Sequence, residues 1–287
     1  MSRIIYVNGS YRPAHEAAVH AEDRGFQFAD AIYEVIEVLG GQLVDERRHL
    51  DRLERSLREI GMAMPMTRAA LRHVIGETIK RNRVRDGLVY MQISRGAGPR
   101  EFSLPGQDVP QTVVVIARSQ NKAAIAALAE TGISVITLAD PRWQRSDIKT
   151  VMLLPAVLAK DKAYKAGARE VWFLDADCNV TEGASSNAWI VTKTGVLVTR
   201  PLSNRILPGV TRASVLDTAR HLQMPVEERV FSLGEVLESG EAFITSATNT
   251  VMPVVKIDGH QIGTGRPGTV TMRLRQAFHH IAEISSL

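Results

Sequence analysis

Val180-Thr181-Glu182-Gly183-Ala184-Ser185-Ser186-Asn187-Ala188-Trp189 sets one carboxylate among small turn-forming residues and then enters a strand read from 187 to 192. Held that way, a carboxylate has its oxygens fixed toward one side, and such a group can keep a heteroaromatic nitrogen protonated. Upstream, Ser146-Asp147-Ile148-Lys149-Thr150-Val151-Met152-Leu153-Leu154-Pro155 admits a lone lysine into an apolar run. Desolvation there favours the neutral amine, the form that attacks an aldehyde. Taken alone, the segment reads more simply as a surface lysine whose stem lies on apolar surface. Downstream, Leu207-Pro208-Gly209-Val210-Thr211-Arg212 is a glycine-containing turn entering a helix, where backbone N–H groups and the helix dipole suit a phosphate. Alone, Thr211 is a helix N-cap.

Working outward, strands are read at 3–7, 32–39, 88–94 and 111–117, with helices from Arg48 to Ile60 and over 67–82. Leu50, Leu53, Leu57 and Ile60 recur at helical spacing in the first helix; Leu71, Val74, Ile75 and Ile79 share a face of the second. Around Arg118-Ser119-Gln120-Asn121-Lys122 the chain turns polar. This divides it into a domain over 1–118, a linker at 119–122 and a domain over 123–287. The second half carries strands at 132–137, 170–174, 187–192, 196–199, 242–246 and 252–257, and helices at about 153–167, 211–222 and 268–284. Hairpins without regular βαβ alternation make the class α+β.

The 287 residues, 45% hydrophobic, can fill the cores of two ordinary domains. The net charge of +4 is scattered along the chain, which gives nucleic-acid binding little support. One cysteine, Cys178, excludes an internal disulfide framework and fits a reducing compartment. Its neighbours Asp175 and Asp177 make it a poor nucleophile. The N-terminus lacks the apolar core of a signal peptide and no stretch is apolar enough to span a membrane, so the expected location is cytoplasmic.

Three motifs tempt and fail. Ser146-x-x-Lys149, Ser185-Ser186-Asn187 and Lys193-Thr194-Gly195 follow the order used by serine acyl-enzymes, but five residues between Asn187 and Lys193 put the last two on one strand and its turn. Gly263-Thr264-Gly265-Arg266-Pro267-Gly268 matches a dinucleotide fingerprint but leaves too little chain for the rest of that site, so it reads as a turn into the last helix. His15-Glu16-Ala17-Ala18-Val19-His20 is one residue out of register for zinc, and no other histidines cluster at metal-ligand spacing.

Taken together, the lysine, carboxylate and phosphate-turn segments resemble the fold-type IV pyridoxal 5′-phosphate (PLP) transaminases, D-amino-acid transaminases most closely. The resemblance runs from Glu22-Asp23-Arg24-Gly25-Phe26-Gln27-Phe28-Ala29-Asp30 through Tyr33-Glu34-Val35, His49-Leu50-Asp51-Arg52-Leu53 and Arg142-Trp143-Gln144-Arg145 to Thr245-Ser246-Ala247-Thr248. It implies a smaller N-terminal α/β domain and a larger C-terminal domain with a β-barrel-like core. It implies Lys149 as the Schiff-base lysine, Glu182 on the pyridine nitrogen, and Arg52 on the phosphate with the Val210 and Thr211 amides, Ser246 and Ala247. Leu207 matches the aliphatic packing on the ring, Ser186 a further cofactor contact, and Tyr33 an active-site tyrosine. A homodimer is implied, as are an amino donor and a 2-oxo acid acceptor handled by ping-pong.

One departure concerns substrate choice. The family pattern has an arginine and, two positions later, a histidine for the substrate carboxylate; here Gly98-Pro99-Arg100-Glu101-Phe102 keeps the arginine and replaces the histidine with Phe102. A trap with one donor fewer and an added ring holds a carboxylate less firmly and accepts hydrophobic amines. A D-amino-acid transaminase is the leading expectation. Within the fold, an (R)-amine or branched-chain amino acid transaminase and an aminodeoxychorismate lyase-like PLP lyase are the alternatives. Outside it stand a serine acyl-hydrolase acting through Ser146 and a non-enzymatic binding module.

Overall fold

The computed structural model describes residues 3–106 and 108–286, so the first two and the last residue of the expected domains lie outside the described residues. The first part of the chain forms β1 (Ile4–Val7), β2 (Ser10–Pro13), α1 (Arg24–Phe28), β3 (Ala31–Leu39), β4 (Gln42–Val44), α2 (Glu46–Glu59), α3 (Arg68–Arg81), β5 (Gly87–Ser94) and β6 (Thr112–Ser119). Then come α4 (Lys122–Thr131), β7 (Ile133–Ala139), α5 (Leu154–Lys165), β8 (Glu170–Leu174), β9 (Val180–Gly183), β10 (Asn187–Val191) and β11 (Leu197–Thr199). The last are α6 (Val210–His221), β12 (Val226–Glu228), α7 (Leu233–Glu238), β13 (Glu241–Ser246), β14 (Thr250–Ile257), β15 (His260–Gln261), α8 (Thr269–Ile281) and β16 (Ile284–Ser285). Described residues within Met1–Lys122, Ile148–Met152 and Glu283–Leu287 form one compact unit, and those within Ala123–Asp147 and Leu153–Ala282 the other.

The first unit is a seven-stranded antiparallel sheet in the order β16-β4-β3-β5-β6-β1-β2. Period-two alternation along β3 sends Ile32, Ile36 and Val38 into a core with Leu50, Leu53 and Leu57 of α2 and Leu71, Ile75 and Ile79 of α3. Each fully buried leucine or isoleucine there contributes about 1.5–3 kcal/mol. Glu34 shares that strand parity and is completely buried among them.

The segment of Lys149 packs with this unit, away from its neighbours in sequence. The reason is an open strand edge. β3 pairs with β4 only at Val38 and Leu39, leaving its first residues unpaired on that side. Residues 149–151 fill the gap: Tyr33 N donates to Lys149 O at 3.0 Å, Val151 N donates to Ala31 O at 3.1 Å, and Ile32 and Thr150 form an antiparallel bridge. Ile148 enters the core beside them.

The second unit holds a mixed nine-stranded sheet in the order β12-β11-β10-β13-β14-β7-β8-β9, with β15 on β14. The β11–β12, β14–β7 and β7–β8 pairs are parallel. The sheet curls into a half barrel, with β9 alongside β10. Every residue of β10 is buried, the mark of a strand covered on both faces.

Elements too short to show a period, among them β2, α1, β9, α7 and β16, have no counterpart in the sequence reading. α4 begins at Lys122, inside the stretch read as a linker, because β6 runs on to Ser119. The last helix stops at Ile281 and not at 284, because Glu283 O takes the Asp45 N–H at 2.7 Å and Ile284–Ser285 pair with β4.

Candidate active site

In the first unit the site residues descend from a polar stripe on α2. Leu50, Leu53 and Leu57 face the core, and beside them His49, Arg52 and Ser56, spaced i, i+3, i+7, form a second buried line. Glu34, across from it on β3, receives Arg52 Nε at 2.7 Å and Arg52 Nη2 at 2.8 Å, and lies 2.8 Å from His49 Nδ1. Burial works against the Glu34 charge, but the Arg52 guanidinium and the His49 hydrogen bond overcome it and hold the carboxyl at about 2. The same burial lowers His49. This bidentate pair fixes the Arg52 side chain.

Ser56 Oγ accepts the Lys149 N–H at 3.4 Å. Lys149 Nζ stands 4.1 Å from the Tyr33 ring centroid, within cation–π range. Tyr33 stacks in turn on Tyr90, at 5.7 Å between centroids, and the Tyr90 hydroxyl donates to Gln92 Oε1 at 2.6 Å. Burial and the neighbouring Tyr33 push Tyr90 up to about 12, so it stays a neutral phenol.

Arg100 and Phe102 lie on a loop tied back to α1. Buried Arg24 donates through Nε to Asp30 at 2.9 Å and through Nη1 to Glu101 O at 2.8 Å. The Phe28 ring lies 5.3 Å from the Arg100 guanidinium and 5.7 Å from the Phe102 ring. Phe102 itself is 88% exposed.

In the second unit Glu182, on β9, is 4% exposed and accepts three hydrogen bonds. Arg142 Nη1 donates to Oε1 at 2.5 Å; Asn187 Nδ2 and the Leu207 N–H each donate to Oε2 at 3.0 Å. Burial pushes this carboxyl up to about 7 even though Arg142 and the Leu207 N–H pull it down. Asn187 Nδ2 also donates to Leu207 O at 3.0 Å, so one amide ties the carboxylate to the 207–212 turn. The Ser186 hydroxyl donates to buried Glu170 at 3.1 Å, and the neighbouring Asn187 side chain meets Glu182. Ser246 ends β13 and Ala247 follows it, with Ser246 Oγ 3.0 Å from Thr248 Oγ1.

Two glycine turns lead into helices of this unit, and they differ in a telling way. At α8, Glu241 accepts the Val270 and Thr271 N–H groups at 3.0 and 2.8 Å, so the fingerprint-like 263–268 turn has its anion supplied from within. At α6 the N-cap is Gly209 and no side chain caps the helix. A Cβ on Gly209 would lie 1.9 Å from Asn187 Oδ1, so the turn is shaped for backbone alone. An uncapped helix start with buried Val210 and Thr211 suits a phosphate, and a buried carboxylate held rigidly by three donors suits a protonated ring nitrogen. These residues fit PLP.

Glu34, His49, Ser56, Asn187, Asp140 and Arg142 carry the geometry that surrounds the expected residues. The stripe spacing that His49 and Ser56 share with Arg52, and a lone Glu34 in the apolar parity of β3, are the sequence signals for three of them. Asn187, Asp140 and Arg142 meet Glu182 or each other only through folding.

An antiparallel sheet unit and a curled mixed sheet, with a lysine on an added strand and a carboxylate seated before a phosphate-type turn, have the architecture of fold-type IV aminotransferases. A sequence model of Amino-transferase class IV matches residues 31–257, and the chain belongs to that family. It is 37% identical over 283 residues to a D-alanine aminotransferase of Staphylococcus epidermidis, covering 99% of both chains. It is 38% identical to one of Bacillus licheniformis, covering 96% of both. Among solved structures, the branched-chain amino acid aminotransferase of Escherichia coli matches at TM-score 0.88 and 25% identity, over 98% of this chain and 95% of that one. A T.th. branched-chain amino acid aminotransferase with pyridoxamine 5′-phosphate matches at TM-score 0.89 and 25% identity, over 98% and 94%. The protein is a PLP-dependent aminotransferase.

Proposed function

We propose that this enzyme moves the amino group of a D-amino acid, of the D-alanine type, to a 2-oxo acid by a ping-pong cycle. The observation that carries the reading is the full-length likeness to D-alanine aminotransferases, at 37% identity over 99% of the chain. When bound, PLP supplies an aldehyde for the donor amine and a protonated ring that takes up the electron pair of the broken Cα–H bond. Lys149 Nζ is the amine that would hold the aldehyde and, when free, would carry the α-proton of the substrate. Glu182 holds the ring nitrogen, and Leu207 packs its side chain on the ring. Arg52, the Val210 and Thr211 amides, Ser246 and Ala247 bind the phosphate, Arg52 being kept in one orientation by Glu34. Tyr33, Arg100 and Phe102 face the substrate, Arg100 taking its carboxylate.

Phe102 favours a second reading. An exposed ring beside Arg100, packed on Phe28, offers apolar surface where a second carboxylate donor is expected, which suits an (R)-amine or a branched-chain donor. Half-reactions with D-alanine, L-leucine and (R)-1-phenylethylamine, followed by loss of the resting PLP absorbance, decide between them. D-alanine is expected to react fastest; faster reaction with either of the others replaces the first reading by the second.

The enzyme is proposed to act as a cytoplasmic homodimer. Among the described residues no helix is long and apolar enough to cross a membrane. Leu154, Val157, Leu158 and Tyr164 of α5 are each more than half exposed, an apolar face of the kind a second copy covers. Sedimentation at twice the 31.6 kDa chain mass is the expected result, and a monomer at micromolar concentration would refute it.

A further inference from the structure

Glu182 is the buried end of a partly buried charge chain. Arg142 Nη1 contacts its Oε1, while Arg142 Nε and Nη2 are bound to Asp140 at 2.9 and 2.8 Å. The Thr181 hydroxyl fixes Asp140 from the other side at 3.0 Å. The guanidinium lies 4.8 Å from the Phe173 ring, whose side chain is fully buried, and its Nη2 also reaches Arg205 O at 3.4 Å. Held at three nitrogens and against a ring, Arg142 has no freedom to leave Glu182.

Two carboxylates and one guanidinium leave this chain with one net negative charge, which a single N–H⁺ of the cofactor ring would balance. A proton shared by a carboxylate and a pyridine nitrogen settles on the stronger base. A buried carboxylate without a cation is a strong base, because burial disfavours its charge. A guanidinium at hydrogen-bond distance opposes that, as Arg142 does at Glu182, and arginine has no proton to give up under any working condition.

We propose that Arg142 is a positioning residue for the cofactor's ring nitrogen: paired with Glu182 Oε1, it keeps that carboxylate anionic so that the shared proton stays on the ring. The inference rests on the reading of Glu182 as the ring partner. Arg142 thereby sets how strongly the ring draws electrons, without touching substrate or the reacting atoms.

The test uses the holoenzyme reconstituted with PLP carrying a heavy-isotope ring nitrogen, whose NMR shift reports its protonation. Wild type and Arg142→Lys, which keeps the charge, are expected at the protonated position. Asp140→Asn with Arg142→Met removes the buried pair together, leaving no orphaned charge, and is expected to move the signal toward the unprotonated position and lower kcat at least tenfold. Should that variant fail to retain PLP, Arg142→Gln, which keeps neutral donors in place, is read the same way. A wild-type signal in the charge-free variants, with Glu182→Gln moving it, overturns the role of Arg142 and leaves Glu182 as the ring partner. A signal unmoved by Glu182→Gln as well overturns both.

Discussion

Glu182 and Glu34 are both buried carboxylates pulled down by an arginine partner, and the balance against burial falls on opposite sides. Glu34 takes two hydrogen bonds from Arg52 and is held at about 2; Glu182 takes one from an Arg142 already shared with Asp140 and is pushed up to about 7. The consequences for stability have opposite signs. Glu182 binds its proton more tightly folded than at its ordinary 4.5, so its contribution is complete below about pH 4.5 and is lost as pH rises through 7. Glu34 contributes above pH 4.5 and loses that contribution only as pH falls toward 2. Urea unfolding of the cofactor-free enzyme should therefore show a loss of about 3 kcal/mol between pH 4.5 and 7 that Glu182→Gln abolishes. Equal slopes in both proteins would show that Glu182 is not protonated in the folded state. Glu182 and Lys149 were legible as candidates only in combination with the 207–212 turn, since Lys149 alone reads as a surface lysine. Asn187 and Arg142 were not, since an amide at the start of a strand and an arginine in a polar loop have ordinary local explanations and acquire a role only when folding brings them to Glu182.

At the scale of elements, two short segments do work that no hydrophobic period announces. The 149–151 strand exists because β4 leaves the start of β3 unpaired, and a vacancy in a ladder is a property of the sheet, invisible in the residues that fill it. The turn before α6 was legible through its proline and glycine, and the structure adds the reason for the glycine. Gly209→Ala drives a Cβ to within 1.9 Å of Asn187 Oδ1, so the amide must leave either Glu182 or Leu207. It should cost about 1–3 kcal/mol of stability and weaken PLP binding at least tenfold by titration. Gly234→Ala, in α7 with its nearest neighbour at 3.6 Å, is the control and should change neither. Indistinguishable PLP affinities for the two variants would mean that the turn does not bear on the cofactor.

At the scale of the whole molecule, the division into two units follows from where apolar periodicity gathers: α2 and α3 on the antiparallel sheet, and fully buried strands in the curled one. What the sequence order conceals is that residues 148–152 belong with the first unit, although Lys149 lies beyond the stretch read as a linker. The amine thus sits on an element stabilised by β3 and α2, the elements that also carry Tyr33, Glu34 and Arg52. All readings of cofactor chemistry meet in this one side chain. Borohydride reduction of the holoenzyme, followed by proteolysis and mass spectrometry, should place the phosphopyridoxyl group on the peptide of Lys149 and nowhere else. A label on any other lysine, or a protein that binds PLP and transaminates with Lys149 unmodified, would contradict the account.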